Sequence, residues 1–145
     1  MTEVAFHFNA ADKIHYACRL LRKACATSAK VVVVGSDDVL AALDAALWTF
    51  SPTAFVPHCR ADAGSELLQN TAVVLMSAEK WSENLPHHQV LLNLGTELMP
   101  GFESFEKVIE VVTQDDEDKS LARFRWKHYA DRGYPLVRHD LSQKA

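Results

Sequence analysis

The residues with the clearest binding chemistry lie on one predicted helix near the C-terminus. Lys119, Arg123 and Lys127 are spaced by four residues, so on a helix they form one stripe of positive charge. Trp126 follows Arg123 by three residues and flanks this stripe. A charged stripe on a helix is most often a solvated face. Cations beside an aromatic ring also suit the binding of a carboxylate, or of an acidic peptide that contains an aromatic residue.

Nucleic acid is the rival ligand for the same stripe, because cations and stacking rings also bind single strands. The chain has 15 Lys and Arg residues against 19 Asp and Glu residues, which gives a formal net charge of −4. Binding to DNA or to anionic membranes generally depends on surplus positive charge. The composition therefore disfavours direct contact with DNA or a membrane as the main role.

A second group of candidate binding residues is aromatic. Trp48, Phe50 and Phe55 are concentrated in LDAALWTFSPTAFVPH, residues 43–58, around a turn that contains proline. Aromatic residues at a helix end and its loop can form a small hydrophobic cluster beneath the loop. They are equally typical of a protein–protein hot spot. The residues alone leave these two interpretations open.

Motifs for nucleotides, metals and catalysis are missing. The first predicted strand is followed by NAADK and the second by GSDD, and neither matches the glycine-rich loops that hold phosphates. Asp37 and Asp38 would repel a phosphate at a helix N-terminus, where they fit better as caps. The seven histidines and three cysteines form no zinc-binding or nucleophile motif. The sequence thus predicts no catalytic residue, no cofactor and no metal.

The elements that must position these residues follow from the apolar pattern, in which strands and helices alternate. This alternation predicts an α/β chain with βαβ units, a mostly parallel sheet and three layers in a Rossmann-like arrangement without a nucleotide-binding loop. Asp12 and Asp115 are predicted N-caps, and Gly133 is a predicted helix stop. The predicted strands are 4–8, 30–34, 54–56, 71–77, 90–94, 108–112 and 134–141; the predicted helices are 13–26, 38–48 and 115–132, with a short helical turn at 102–106.

The chain is also expected to be one cytoplasmic domain. Its 145 residues are close to the commonest domain size, and no linker or repeat divides residues 1–145. No apolar run approaches the length that spans a bilayer. The N-terminus, MTEVAFHFNAADK, lacks the basic and apolar segments of a secretory signal.

Three segments, 43–58, 91–112 and 118–134, together resemble the chi subunit of bacterial DNA polymerase III holoenzyme. The most specific parts are LDxALW…FVPH and the C-terminal pattern LARxRxKxY, and the similarity covers most of the chain in order. Two features depart from the family. Trp126 stands where the family usually has tyrosine, and residues 58–70 match poorly.

The resemblance implies a non-catalytic adaptor of the clamp-loader assembly. Chi subunits bind the acidic C-terminal tail of single-stranded-DNA-binding protein, which ends in an aromatic residue. They also bind a second partner, the psi subunit or an accessory helicase, and contact DNA only indirectly. On the family pattern, the tail site corresponds to Val112, Lys119, Arg123, Trp126 and Lys127, and the second-partner surface to Trp48 and Phe55. The alternative is a small α/β enzyme or nucleotide-binding protein whose loops escape known motifs.

Overall fold

The middle layer of the molecule is a parallel β-sheet. The computed structural model describes residues 2–49, 58–60, 71–78, 81, 85 and 87–141, with the backbone alone at 59 and 60. Within these residues the sheet has seven strands: β1 (Glu3–Ala10), β2 (Val31–Gly35), β3 (His58–Arg60), β4 (Val73–Ser77), β5 (Val90–Asn93), β6 (Lys107–Thr113) and β7 (Leu136–Asp140). Their order is β3-β4-β2-β5-β6-β1-β7, and every pairing is parallel. The predicted α/β class with a mostly parallel sheet is confirmed.

Helices cover both faces of this sheet. Helices α1 (Lys13–Ala26) and α2 (Asp37–Thr49) pack together on one face. Helix α3 (Asp116–Asp131) and a single 3-10 turn at Phe102–Ser104 pack on the other. Because the centre of the sheet is covered on both sides, β2 and β4 are apolar and buried at successive residues, as expected for central parallel strands. The predicted three-layer arrangement is therefore confirmed.

The helix boundaries follow from local caps. The Asp12 side chain accepts a hydrogen bond from the His15 backbone N–H (3.1 Å), and Asp115 accepts one from Asp118 (3.3 Å). Each cap satisfies an amide that has no partner inside the helix. Gly133 has φ of +77°, which ends α3 in the left-handed conformation that glycine adopts most easily. All three predicted boundary signals are confirmed.

Strands β3 and β1 differ from the sequence prediction. The strand predicted at 54–56 lies outside the described residues, and the three-residue edge strand β3 at His58–Arg60 was not predicted. Strand β1 is longer than predicted, and its register with β6 shifts between His7 and Ala10. Asn9 has φ of +64° at this irregularity, a conformation that Asn tolerates better than most residues.

Within the part of the chain that the structure describes, no helix combines the length and the apolar character needed to cross a bilayer.

Candidate functional site

A groove of about 480 Å³ opens between α3 and the part of the sheet formed by β6, β1 and β7. We call it the α3 groove. Four elements contribute to its walls, so residues far apart in sequence meet there. The lining residues are Phe6, Phe8, Asn9, Val112, Lys119, Ala122, Arg123, Trp126 and Arg138.

The floor of the α3 groove is apolar and aromatic. Phe6 and Val112 are buried, because alternate residues of β1 and β6 point toward α3. Trp126 meets Phe6 edge to face, with ring centroids 5.1 Å apart. Trp126 is half-buried. The floor can therefore take up an apolar or aromatic side chain.

Three cations surround this floor. Lys119 and Arg123 come from α3, and Arg138 comes from β7. The guanidinium carbon of Arg138 lies 5.1 Å from the ring centre of Phe8 and 6.0 Å from that of Trp126, within cation–π range. Among the residues that the structure describes, none of the three cations forms an ion pair. They are thus free to bind the carboxylates of a ligand.

Four of the five residues assigned to the tail site by resemblance line the α3 groove: Val112, Lys119, Arg123 and Trp126. Lys127 is exposed on α3 and does not line it. A spacing of four residues advances about 40° around a helix at each step, so Lys127 lies about 80° from Lys119.

Sequence reasoning missed five of the nine groove residues: Phe6, Phe8, Asn9, Ala122 and Arg138. Phe8 carried a signal, since it alternates with Val4 and Phe6 along β1. Arg138 carried none, because only the pairing of β7 with β1 brings it beside α3.

A buried polar network fixes α3 to the sheet. Arg125 Nε donates to Glu110 Oε1 (3.0 Å), and the Tyr129 hydroxyl donates to Glu110 Oε2 (2.7 Å). Arg125 Nη1 also donates to the Thr96 carbonyl (2.8 Å). Glu110 is fully buried, and burial raises the pKa of its carboxyl, while the Arg125 charge opposes that rise. Burial likewise raises the pKa of the Tyr129 hydroxyl.

A second contact fixes the first turn of α3. Asp118 Oδ2 accepts hydrogen bonds from the Thr113 backbone N–H (2.8 Å) and hydroxyl (3.0 Å), and lies 3.4 Å from Lys13 Nζ. Burial by itself would raise the pKa of Asp118, but the Thr113 hydrogen bonds and the Lys13 charge outweigh it and lower the pKa. Asp118 therefore joins α3 to the end of β6 and to α1.

The acidic run at 115–118 begins a helix and anchors it, as the Asp115 and Asp118 contacts show. In the described part of the chain, no group of three or more His, Cys, Asp and Glu side chains is placed to hold a metal ion.

The second candidate surface lies at the end of α2. Trp48 is 65% exposed and contacts His58 edge to face, with ring centroids 5.8 Å apart. The His58 ring nitrogen Nε2 lies 2.6 Å from Asp44 Oδ1, which ties β3 to α2. Phe55 lies outside the described residues. Since α2 and α3 cover opposite faces of the sheet, Trp48 and the α3 groove belong to different layers.

A solved structure shares this fold. The Hef helicase domain of Pyrococcus furiosus superposes with a TM-score of 0.56 and 11% sequence identity, over 80% of this chain and 28% of that chain. At this identity the likeness shows the fold alone. It supports the predicted Rossmann-like arrangement.

Sequence comparison shows the family. The family model described as DNA polymerase III chi subunit, HolC, matches residues 1–137. A DNA polymerase III subunit chi from Pseudomonas aeruginosa is 33% identical over 97% of this chain and 98% of its own length. The subunit from Haemophilus influenzae is 30% identical over 83% and 81%, and that from Escherichia coli is 32% identical over 75% and 73%. The chain belongs to the family of DNA polymerase III chi subunits.

Proposed function

We propose that this chain is a single-domain adaptor of the clamp-loader assembly whose α3 groove binds the acidic C-terminal tail of single-stranded-DNA-binding protein. A chi subunit is an accessory, non-catalytic part of DNA polymerase III, so the process that the chain serves is DNA replication. The observation that carries the finer proposal is the α3 groove itself. Its apolar floor and its three cations match a peptide that combines carboxylates with an aromatic end.

The apolar floor and the cations of the groove would bind different parts of the tail. The aromatic end of the tail packs against Phe6, Val112 and Trp126, where it gains contact with rings and leaves water. The terminal carboxylate and neighbouring acidic side chains approach Arg123 and Arg138, where charge-assisted hydrogen bonds are strong. Lys119 adds a third positive charge to the same rim.

Lys127 has a different part in this proposal. It is exposed on α3 and does not line the groove. Acidic residues upstream of the aromatic end would still feel its charge, because screening at physiological salt acts over about 8 Å. Lys127 then raises the local attraction for the tail without contacting the terminal residue.

For Trp48 and Phe55 we propose the surface of the second partner, the psi subunit or an accessory helicase. A tryptophan that is 65% exposed at a helix end is the kind of residue that anchors protein interfaces. Its position on the other face of the sheet would allow both partners to bind at once. The chain would then reach DNA only through its partners, in the cytoplasm.

The alternative of a nucleotide-binding enzyme fits the end of β2 poorly. There the Ser36 hydroxyl accepts a hydrogen bond from the Val39 N–H (3.3 Å), and Asp37 and Asp38 occupy the first turn of α2. A phosphate would compete with the cap and meet two negative charges at that helix N-terminus. This arrangement favours the adaptor.

The decisive experiment is a titration of the chain with a fluorescent acidic tail peptide that ends in an aromatic residue. Arg123→Ala should weaken binding about tenfold or more, since a hydrogen bond to a charged group contributes about 1.5–3 kcal/mol. Lys127→Ala is the matched control, a cation one turn further along α3, and its effect should be clearly smaller. A peptide with alanine in place of the aromatic end tests the floor. Failure of the parent chain to bind, or equal binding by the parent and Arg123→Ala, would overturn the proposal.

A further inference from the structure

We infer that the acidic tail, where it leaves the α3 groove, adds to the outer edge of β7 as an extended strand. This inference rests on the proposed function above and specifies how the bound peptide runs. It assigns part of the recognition to backbone groups of β7, which neither the sequence pattern nor the family comparison identifies.

Strand β7 is the last strand of the sheet and pairs only with β1 among the described residues. The Val4 N–H donates to the Pro135 carbonyl (2.9 Å), and Val4 is in register with Leu136. In a parallel pair the N–H and C=O of alternate residues point to the same neighbour. The backbone groups directed toward β1 are therefore those of Pro135, Val137 and His139. Those directed away from the sheet are the groups of Leu136, Arg138 and Asp140.

This outer edge is regular enough to accept a strand. Strand β7 stays in unbroken register with β1 over its five residues. Pro135 precedes the strand and leaves its outward N–H groups intact. A bulge or a proline within an edge strand would interrupt such pairing, and β7 contains neither. No described backbone group occupies the outer edge of β7.

Arg138 connects this edge to the α3 groove. Its side chain lies over Phe8 inside the groove rim, while its own backbone N–H and C=O point outward from β7. An added strand lies about 4.8 Å from its neighbour, so a peptide that leaves the groove past Arg138 is already within hydrogen-bonding range. The positive charge of Arg138 favours an acidic segment at this point.

Strand addition also suits the chemistry of such a tail. Main-chain hydrogen bonds provide affinity with little demand on side-chain identity. The aromatic end in the groove would fix the register, and the preceding acidic residues would only need to be extended.

The peptide side of the test is a scan with single backbone N-methyl groups. A tail peptide is prepared with one methylated amide at each successive position, and each peptide is titrated against the parent chain. N-methylation removes a donor and obstructs pairing. Positions whose N–H faces β7 should therefore lose about fivefold or more in affinity, and the alternate positions should keep it. The result expected is a period of two along the peptide.

Hydrogen exchange of the protein amides provides an independent readout. On addition of the unmethylated peptide, the outward amides of Leu136 and Arg138 should become protected. The amides of Val137 and His139, already bonded to β1, serve as internal controls and should change little. Protection of the outward set is specific to strand addition, because a ligand confined to the groove would leave those amides exposed.

The outcomes separate this inference from the function on which it rests. If the unmethylated peptide binds, but the methyl scan shows no period of two and the outward amides stay unprotected, then strand addition is wrong and the groove proposal stands. If the unmethylated peptide does not bind at all, both fall. Alternating losses together with protection of the outward amides would establish the added strand.

Discussion

Arg123 and Arg125 lie two residues apart on α3 and have opposite environments. Arg123 is exposed at the groove rim, whereas Arg125 is 3% exposed and bonded to Glu110. Two residues on a helix are separated by about 200°, so one cation can face a ligand while the other faces the core. The first is proposed to bind, and the second holds the helix in place.

Removal of the buried cation should destabilise the fold in a pH-dependent way. Arg125→Met leaves the Glu110 carboxylate buried without its partner, which should cost about 3–5 kcal/mol of unfolding free energy at neutral pH. Burial already raises the pKa of Glu110, and loss of Arg125 raises it further. The folded variant then binds a proton more tightly than its unfolded chain. Protonation of Glu110 therefore stabilises the folded variant. This stabilisation is fully present below the pKa of Glu110 in the unfolded chain and is lost as pH rises through its pKa in the folded variant.

Urea unfolding of Arg125→Met and the parent between about pH 5 and about pH 8 measures this effect. The difference in unfolding free energy should grow as pH rises. The control compares the double variant Glu110→Gln with Arg125→Met against Glu110→Gln alone. Position 110 titrates in neither, so their difference in unfolding free energy should be nearly independent of pH. A single-variant difference that is constant across the range would show that Glu110 does not titrate there.

At the scale of elements, α3 is the helix that forms one side of the groove, and its first turn is fixed at several points. Asp115 caps it, and Asp118 bonds to Thr113 at the end of β6 and lies close to Lys13. The acidic residues also interact favourably with the helix dipole. Lys119 follows directly, so the position of this groove cation depends on the anchor before it.

The Asp118 anchor should be measurable in the stability of α3. Asp118→Asn keeps an acceptor but loses the charge that Thr113 and Lys13 stabilise, so it should cost about 1 kcal/mol at neutral pH. Because the pKa of Asp118 is lowered in the fold, this stabilisation is present above the unfolded pKa and is lost as pH falls through the folded pKa. Thermal unfolding at about pH 7 and about pH 3 should therefore show a difference in stability that is smaller in acid.

Asp116→Asn is the matched control for this variant. Asp116 is exposed in the same turn, so its replacement should show only the smaller loss of a charge near the helix N-terminus. Equal losses from both substitutions would mean that the Thr113 and Lys13 contacts contribute nothing measurable.

At the scale of the whole molecule, the sheet separates two candidate binding surfaces. Trp48 lies with α2 on one face and the α3 groove on the other. Trp48→Ala should therefore abolish or strongly weaken binding of the psi subunit or helicase and leave tail-peptide affinity unchanged. Arg123→Ala should weaken binding of the tail peptide and leave binding of the psi subunit or helicase unchanged. Pull-downs and peptide titrations on both variants, with circular dichroism as the folding control, test the separation. Joint loss of both activities in a folded variant would show that the surfaces are coupled.

Salt and DNA dependence also belong to the whole molecule. With a formal net charge of −4, the chain should bind bare single-stranded DNA negligibly and be recruited to DNA coated with the tailed partner. Tail affinity should fall with added salt, since the groove cations lie near solvent, but packing on the apolar floor should preserve part of it. Anisotropy with labelled DNA and labelled peptide measures both. Tight binding to naked strands, or full recruitment by a tailless partner, would contradict the adaptor proposal.

Much of the fold could be predicted from local patterns. The four-valine run of β2, the Asp12 and Asp115 caps and the Gly133 stop all lie where the sequence indicated, because each depends on interactions within a few residues. The strand β3 escaped prediction because three residues are too few for a periodic signal. Its edge position follows only from pairing with β4.

For the groove, the sequence by itself determined the helical face that carries Lys119 and Arg123, since helical periodicity relates residues that are close in the chain. The drift of about 40° at each four-residue step already turns Lys127 away from Lys119. Only the tertiary structure decided that Phe8 and Arg138 complete the groove. The same holds for the buried bond between Arg125 and Glu110. These contacts depend on how β6, β1 and β7 pair and where α3 packs on them. Such long-range packing is set by the burial of the whole core and leaves no short-range pattern in the chain.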